Sequence, residues 1–195
     1  MPDRTTILAN YVSGRWPDDI LNSITIWQAA RATSAASTFF EPIQIGLDQE
    51  SFVDGATGAN NPVFHVWGEA SDIWKSKSAL EQNVQCLISV GTGIPTVDAF
   101  GRSLAGIANT LKSMATETET TAEDFVRLHT RMHTQHRYFR FNVLSGLERV
   151  GLEDAGKRPQ IIAATRRYLT SEETKKQLEL CAENLRLRQC MKDFS

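Results

Sequence analysis

Hydrophobic and polar residues alternate along the chain with two periods, one typical of strands and one typical of helices. Short apolar or alternating runs predict strands at residues 5–12, 51–54, 84–90 and 137–143. Apolar residues at helical spacing predict helices at residues 22–35, 60–74 and 104–114. This alternation favours an α/β architecture with a mainly parallel sheet. The run at 84–90 is almost entirely apolar, which is typical of a strand covered on both faces.

The last third of the chain predicts a helical tail. Residues 116–121 interrupt the helical pattern, and Thr120 with Glu123 resembles a capping box that starts a new helix. Pro159 stands where the next helix would begin, and Thr170 begins a second capping box before the final helix.

Composition narrows the possible functions. The formal net charge of −2 argues against a general nucleic-acid binder, which carries a basic excess. No apolar stretch is long enough to span a bilayer, and the first residues lack the pattern of a secretory signal. The three cysteines, Cys86, Cys181 and Cys190, lack metal-type spacing and indicate a reducing compartment. We therefore expect a cytoplasmic protein without a transmembrane segment or a nucleic-acid partner.

Asp54 is the strongest candidate for chemistry. It ends a predicted strand and precedes Gly55, so its carboxylate can point into a cleft at the carboxyl edge of the sheet. Open α/β sheets bind their ligands at that edge. A simpler interpretation is that Asp54 and Gly55 form a turn in which the Asp54 side chain bonds its own backbone. The residues alone leave both interpretations open.

Five segments follow one another along the chain, at residues 27–36, 39–42, 52–56, 60–63 and 89–93. In order and spacing they resemble the patatin-like phospholipase family. The resemblance implies a serine–aspartate dyad on an α/β sheet that hydrolyses acyl esters of lipids without a cofactor. It assigns Asp54 as the base for the serine, with Gly55 and Ala56 completing the Asp-Gly-Ala motif. A lipid acyl ester or a membrane surface is then the expected partner.

Two parts of the family pattern are missing from these 195 residues. The nucleophile would lie in Gly-x-Ser-x-Gly, and no serine has glycines at both positions, with Ser13, Ser89 and Ser145 coming closest. The glycine-rich segment that would bind an oxyanion is missing as well. Because these two parts supply most of the rate enhancement of such sites, we expect this chain alone to be inactive.

Two hypotheses follow. In the first, the chain is the C-terminal part of a patatin-like acyl hydrolase, and a missing N-terminal half-domain carries the serine. Residues 1–145 then belong to the catalytic domain, and residues 146–195 form a helical extension packed on it. Strands near Ile7 and Leu87 would lack neighbours, so the chain alone should aggregate or unfold with poor cooperativity. In the second hypothesis, the chain is a non-catalytic remnant that binds lipid or protein, such as part of a signalling protein.

The other candidates have simpler explanations. His129, His133 and His136 have helical spacing and could bind zinc, but neighbouring arginines oppose a dication, so we expect a polar helix face and no metal. Residues 91–93 lack the lysine of a nucleotide site and predict a tight turn near the cleft. The arginines between residues 127 and 140 could attract anionic lipid headgroups, although a surface stripe explains them equally well.

Overall fold

A computed structural model gives the positions of residues 5–13, 18–36, 39–74, 77–94, 105–148, 150–151 and 154–186. The strands are β1 (Ile43–Ile45), β2 (Glu50–Phe52), β3 (Leu87–Val90) and β4 (Tyr138–Phe141). The helices are α1 (Asp18–Ser23), α2 (Ile26–Ala32), α3 (Ala56–Ala59), α4 (Val63–Ile73), α5 (Lys77–Asn83), α6 (Ala105–Leu128), α7 (Thr130–Thr134), α8 (Arg158–Thr170) and α9 (Glu172–Arg186). The predicted α/β class with a helical C-terminal tail is confirmed.

The strands form two small sheets in the part of the chain that the structure describes. β1 and β2 make an antiparallel hairpin, in which Ile43 lies opposite Phe52. β3 and β4 are parallel, with Leu87 opposite Tyr138. A parallel pair needs a long crossover connection, and α6 and α7 lie in the chain between these two strands.

The strand predicted at residues 5–12 is wrong. These residues are described, and their backbone adopts no regular secondary structure. Leu8 packs against the buried side chains of Ala32, Ile45 and Phe52. The segment therefore buries apolar surface without strand pairing. Its hydrophobic pattern indicates which side chains become buried, but it cannot supply the neighbouring strand that a sheet requires.

The helix expected from Asn22 begins at Ile26 instead. Asn22 lies inside the preceding helix, α1. The backbone N–H of Thr25 donates to the side-chain oxygen of Gln28 at 2.9 Å, as in a capping box. This local bond places the N-cap of the helix at Thr25, three residues after the predicted N-cap, Asn22.

The break predicted at residues 116–121 is also wrong, because α6 continues through these residues. Threonine has only a modest helix propensity, so these threonines alone would favour an interruption. One turn later, Phe125 is fully buried in the core. Burial of the apolar face of α6 outweighs the propensity of its threonines.

The helices predicted near Pro62, Pro159 and Thr170 are present with small shifts. Pro62 precedes α4, and Pro159 lies in the first turn of α8, where a missing N–H costs little. The predicted cap at Thr170 is displaced by one residue, since Thr170 ends α8. Ser171 Oγ instead accepts the backbone N–H of Thr174 at 3.3 Å and caps α9.

Buried apolar side chains form two clusters, one of Val63, Phe125, Met132 and Tyr138 and one of Ala32, Ile45 and Phe52. Leu87 of β3 packs against the first cluster. Within the described residues β3 is not covered on both faces as predicted, because Ile88 and Val90 on its other face are 40% and 74% exposed. None of the described helices is both long and apolar enough to cross a lipid bilayer.

Candidate functional site

Asp54 lies two residues beyond the end of β2, and three contacts determine its position. Phe52, the last residue of β2, is buried in the second cluster. The backbone N–H of Asp54 donates to the carbonyl of Ala35 at 3.0 Å, which ties it to the segment after α2. Gly55 follows as the residue before α3. The hairpin and α2 thus hold the backbone of Asp54 from both sides.

One oxygen of the Asp54 carboxylate is used for a turn. The backbone N–H of Ala56 donates to Asp54 Oδ1 at 2.8 Å, the turn that the simpler interpretation of the sequence predicts. Among the residues that the structure describes, no group bonds to the second oxygen, Oδ2. The carboxylate is therefore oriented by one oxygen, and the other can accept a proton from an incoming group. The turn and a role as a base are compatible with each other.

The loop that follows Asp54 is fastened to α6. Asn60 Nδ2 donates to the hydroxyl of Thr118 at 2.8 Å, and Asn61 Nδ2 donates to the carbonyl of the same residue at 3.1 Å. Asn61 Oδ1 also accepts the backbone N–H of Val63, the first residue of α4. The two asparagines of the family-like segment therefore position the Asp54 loop rather than a ligand.

The segment Gly91–Gly93 follows β3 and is held by an asparagine. The backbone N–H of Gly93 donates to Asn142 Oδ1 at 2.7 Å, and Gly93 has a φ of 99°, which favours glycine. A Cβ atom at Gly91 would overlap the side chain of Asn142. Residues 91–93 form no turn, so the tight turn predicted from the sequence is wrong. The backbone N–H of Gly91 instead donates to the carbonyl of Phe141 at 2.8 Å, and the two glycines leave room for the side chains of Asn142 and Leu147.

Glu119 of α6 bonds the asparagine that holds the segment Gly91–Gly93. It accepts Asn142 Nδ2 at 2.8 Å and forms an ion pair with Arg140 at 2.7 Å. Arg140 also donates to Ser89 Oγ at 2.8 Å. Because Glu119 directly follows Thr118, one turn of α6 holds both the Asp54 loop and the end of β4.

Three described serines were weighed as nucleophiles from the sequence. Ser13 Oγ donates to the buried carboxylate of Glu69 at 3.2 Å, and Tyr11 donates to the same oxygen at 2.9 Å. Burial and this hydrogen bond raise the pKa of Tyr11, which keeps it a donor. Ser89 accepts a hydrogen bond from a cation, and Ser145 is exposed. None of these bonds joins a serine to Asp54.

The sequence interpretation passed over a fourth serine. Ser103 lies in Gly101-Arg102-Ser103-Leu104-Ala105, which has the first glycine of the nucleophile pattern and alanine in place of the second. The signal is visible in the sequence, but Ser103 lies outside the described residues. It therefore enters the experiments below as a variant.

The three histidines do not form one helix face. α6 ends at Leu128, and His129 turns inward to contact the rings of Trp67 and Phe125. Burial lowers the pKa of His129, and the nearby carboxylate of Glu81 opposes this shift. His136 lies in a turn with a φ of 51°. Within the described part of the chain, no group of three potential metal ligands comes together.

Some of the arginines between residues 127 and 140 have structural partners. Arg137 donates to the backbone carbonyls of Glu81 at 2.5 Å and of Val84 at 2.9 Å, at the end of α5. Arg127 pairs with Asp124 in the preceding turn of α6. An open cleft of about 290 Å³ lies beside Arg137, lined also by Glu81, Gln82, Gln85, Arg131 and Gln135. These partners account for Arg127 and Arg137 without an anionic ligand.

Comparison with known sequences shows which family part of the chain resembles. The family model for the patatin-like phospholipases matches residues 2–67, which include Asp54 and the asparagines that anchor its loop. This part of the chain therefore matches the patatin-like phospholipase family, and the resemblance predicted from the sequence is confirmed.

Individual relatives extend the similarity beyond this region. Phospholipase A I of Arabidopsis thaliana is 32% identical over 130 residues, 66% of this chain and 9% of the relative. Calcium-independent phospholipase A2-gamma of Mus musculus is 30% identical over 117 residues, 60% of this chain and 14% of the relative. Patatin-like phospholipase 1 of Plasmodium falciparum is 28% identical over 172 residues, 79% of this chain and 25% of the relative. The chain thus spans at most a quarter of these relatives, and no solved structure matches it.

Proposed function

We propose that Asp54 is the base of a serine–aspartate dyad in a lipid acyl hydrolase. The observation that carries this proposal is the geometry of its carboxylate, in which Ala56 fixes Oδ1 and Oδ2 is left without a partner among the described residues. A base needs one oxygen within hydrogen-bond reach of the nucleophile, about 2.6–3.2 Å. The carboxylate also needs a fixed direction, which the bonds of Asp54 to Ala35 and Ala56 provide.

Exposed apolar side chains beside Asp54 support a lipid substrate. The backbone N–H groups of Phe39 and Phe40 both donate to the carbonyl of Ala36. Ala36 follows Ala35, whose carbonyl accepts the backbone N–H of Asp54. Phe39, Phe40 and Val53 are all exposed. Acyl chains and membrane surfaces are the partners that such a patch near a hydrolytic carboxylate would bind.

The nucleophile of the proposed dyad lies outside the described residues. The 195 residues contain no Gly-x-Ser-x-Gly, so we expect the serine to come from a different segment and this chain by itself to be inactive. The cytoplasmic location expected from the sequence is part of the same proposal. The odd number of cysteines, without metal-type spacing, supports it, because disulfide-stabilised proteins of oxidising compartments usually carry an even number.

Hydrolysis of a long-chain 4-nitrophenyl ester and of a fluorescent phospholipid tests the dyad. The protein expressed from its complete gene should hydrolyse both, and Asp54→Asn should lower kcat by about 10²- to 10⁴-fold because the base is lost. Asp48→Asn is the matched control, since Asp48 is exposed in the hairpin turn. Equal rates for the two variants would contradict the role of Asp54.

The isolated 195-residue chain supplies a second measurement. Under the proposal it hydrolyses neither substrate above background and does not react with a fluorophosphonate, a reagent for activated serines. Labelling that disappears in Ser103→Ala or in Ser13→Ala would instead place the nucleophile inside these residues. This outcome would overturn the expectation that another segment supplies the serine.

A second candidate function is binding without catalysis. The turn at Asp54 favours this function, because the hydrogen bond from Ala56 alone gives the Asp54 side chain a structural role. In this case the complete protein hydrolyses no ester, and Asp54→Asn changes nothing. The exposed aromatic pair should still bind lipid, so Phe40→Ser should reduce co-flotation of the protein with phosphatidylcholine vesicles. Hydrolysis that depends on Asp54 would exclude this candidate.

A further inference from the structure

Two thiols far from Asp54 in the sequence lie next to each other in the fold. Cys86 directly precedes β3, and Cys181 lies in α9. Their Sγ atoms are 3.8 Å apart, although 95 residues separate them along the chain. Both are free thiols, Cys181 buried and Cys86 half-buried. The tertiary fold therefore creates this contact, and local chain geometry does not.

We propose that Cys86 and Cys181 form a site of oxidative modification, at which a small-molecule disulfide of the glutathione class converts the two thiols into an intramolecular disulfide. A disulfide bond is about 2 Å long. The two sulfur atoms are already in contact, so they need to approach each other by roughly 1.8 Å more. Small rotations of the two side chains can supply this distance.

The reaction proceeds by two thiol–disulfide exchanges. The thiolate of Cys86 attacks one sulfur of the small disulfide, which forms a mixed disulfide and releases one small thiolate. The thiolate of Cys181 then attacks the Cys86 sulfur and releases the second small thiolate. The protein loses two electrons, the small disulfide gains them, and the two cysteine protons end on the two released thiols.

Burial controls the rate of this reaction. Burial and the hydrogen bond with Cys181 raise the pKa of Cys86 to about 12. The thiolate is the reactive form, so attack by Cys86 should be slow at neutral pH and should accelerate about tenfold per pH unit between 7 and 9. The site then resists brief oxidation and responds to sustained oxidation.

The disulfide would lock the helical tail onto the parallel sheet. In the reduced protein noncovalent contacts join these parts, such as the hydrogen bond from the backbone of Asn142 to the Tyr168 hydroxyl at 3.3 Å. Asn184 of α9 donates to the carbonyl of His136. A covalent bond between Cys86 and Cys181 closes a long loop of the chain, which should raise Tm by about 5 °C or more.

Oxidised glutathione and peptide mapping test the proposal on the whole chain. The reduced protein is incubated with the oxidant at pH 7, 8 and 9, alkylated, digested with trypsin and analysed by mass spectrometry. The expected product joins residues 78–102, which contain Cys86, to residues 177–186, which contain Cys181. Trypsin places Cys190 in a separate peptide, residues 189–192, so the three possible pairings are distinguishable.

Cys190→Ser should form the same cross-link, and Cys181→Ala should form none. The oxidised protein should melt at a higher temperature, and reduction with dithiothreitol should restore the original Tm. A product in which glutathione stays bound to Cys86, or in which Cys190 is the main partner, would overturn the proposal. A rate that levels off near pH 9 would show that an ordinary exposed thiol, and not half-buried Cys86, starts the reaction.

Discussion

Asn61 allows a quantitative test of how the Asp54 loop is held. Its side chain is 7% exposed, donates to the carbonyl of Thr118 at 3.1 Å and accepts the N–H of Val63 at 3.4 Å. Asn61→Ala removes both bonds and leaves the backbone N–H of the buried residue Val63 without this partner. The first bond has good geometry and the second is long, so the free energy of unfolding should fall by about 1–2 kcal/mol.

Asn60→Ala is the matched control because Asn60 is exposed and bonds only the hydroxyl of Thr118 among the described residues. Water can replace that bond, so the expected cost is at most about 0.5 kcal/mol. Thr118→Val completes a double-mutant cycle, since it removes the hydroxyl and keeps the carbonyl. The change in unfolding free energy caused by Thr118→Val should not add to that of Asn60→Ala, and it should add to that of Asn61→Ala.

Equilibrium unfolding in urea, followed by tryptophan fluorescence at low protein concentration, gives each free energy. Four tryptophans report the transition. A loss in Asn60→Ala equal to that in Asn61→Ala would refute the reasoning, because it would show that burial does not decide the energy of these bonds. Coupling between Thr118→Val and Asn61→Ala would refute the assignment of the bond to the carbonyl.

Three further predictions concern stability and association. Phe125→Ala should lower the free energy of unfolding by about 3–5 kcal/mol, because Phe125 is fully buried. Leu128 is exposed on the same helix, so Leu128→Ala should lower it by less than about 0.5 kcal/mol. Similar losses for the two variants in urea unfolding would contradict this prediction. Burial lowers the pKa of His129, so the unfolded chain binds more protons than the folded one, and the stability of the fold should decrease as the pH drops below about 6.5. His129→Gln should lose less stability over this pH range. Identical pH profiles for the two proteins would exclude a contribution of His129. Leu47 and Val90 are 99% and 74% exposed, so the isolated chain should self-associate. Sedimentation velocity that shows only monomer at every protein concentration would disprove this prediction.

Local signals in the sequence were reliable where one residue decides the structure. Pro62 and Pro159 marked helix starts, because a missing N–H is tolerated only in the first turn. Asp54 could be placed after a strand, although the strand ends two residues earlier. These features depend on a few neighbouring residues, which the sequence shows directly.

Long-range contacts could not be predicted. Glu119 bonds Arg140 and Asn142, 21 and 23 residues further along the chain, and no pattern in the sequence connects them. The same limit explains the wrong break at 116–121, since α6 is held by distant partners of Thr118 and Glu119. The strand predicted at residues 5–12 failed because pairing depends on a neighbour and not on the segment itself.

The parallel pairing of β3 and β4 has a consequence during synthesis of the chain. Ser89 and Arg140, which lie opposite each other, are 51 residues apart. A ribosome adds about 5–20 residues per second, so β3 emerges roughly 3–10 s before β4 can pair with it. During that interval Ile88 and Val90 belong to an unpaired apolar strand, the kind of segment that chaperones bind and that mispairs between nascent chains. The crossover that builds the parallel sheet therefore also sets the most vulnerable period in the biogenesis of this chain.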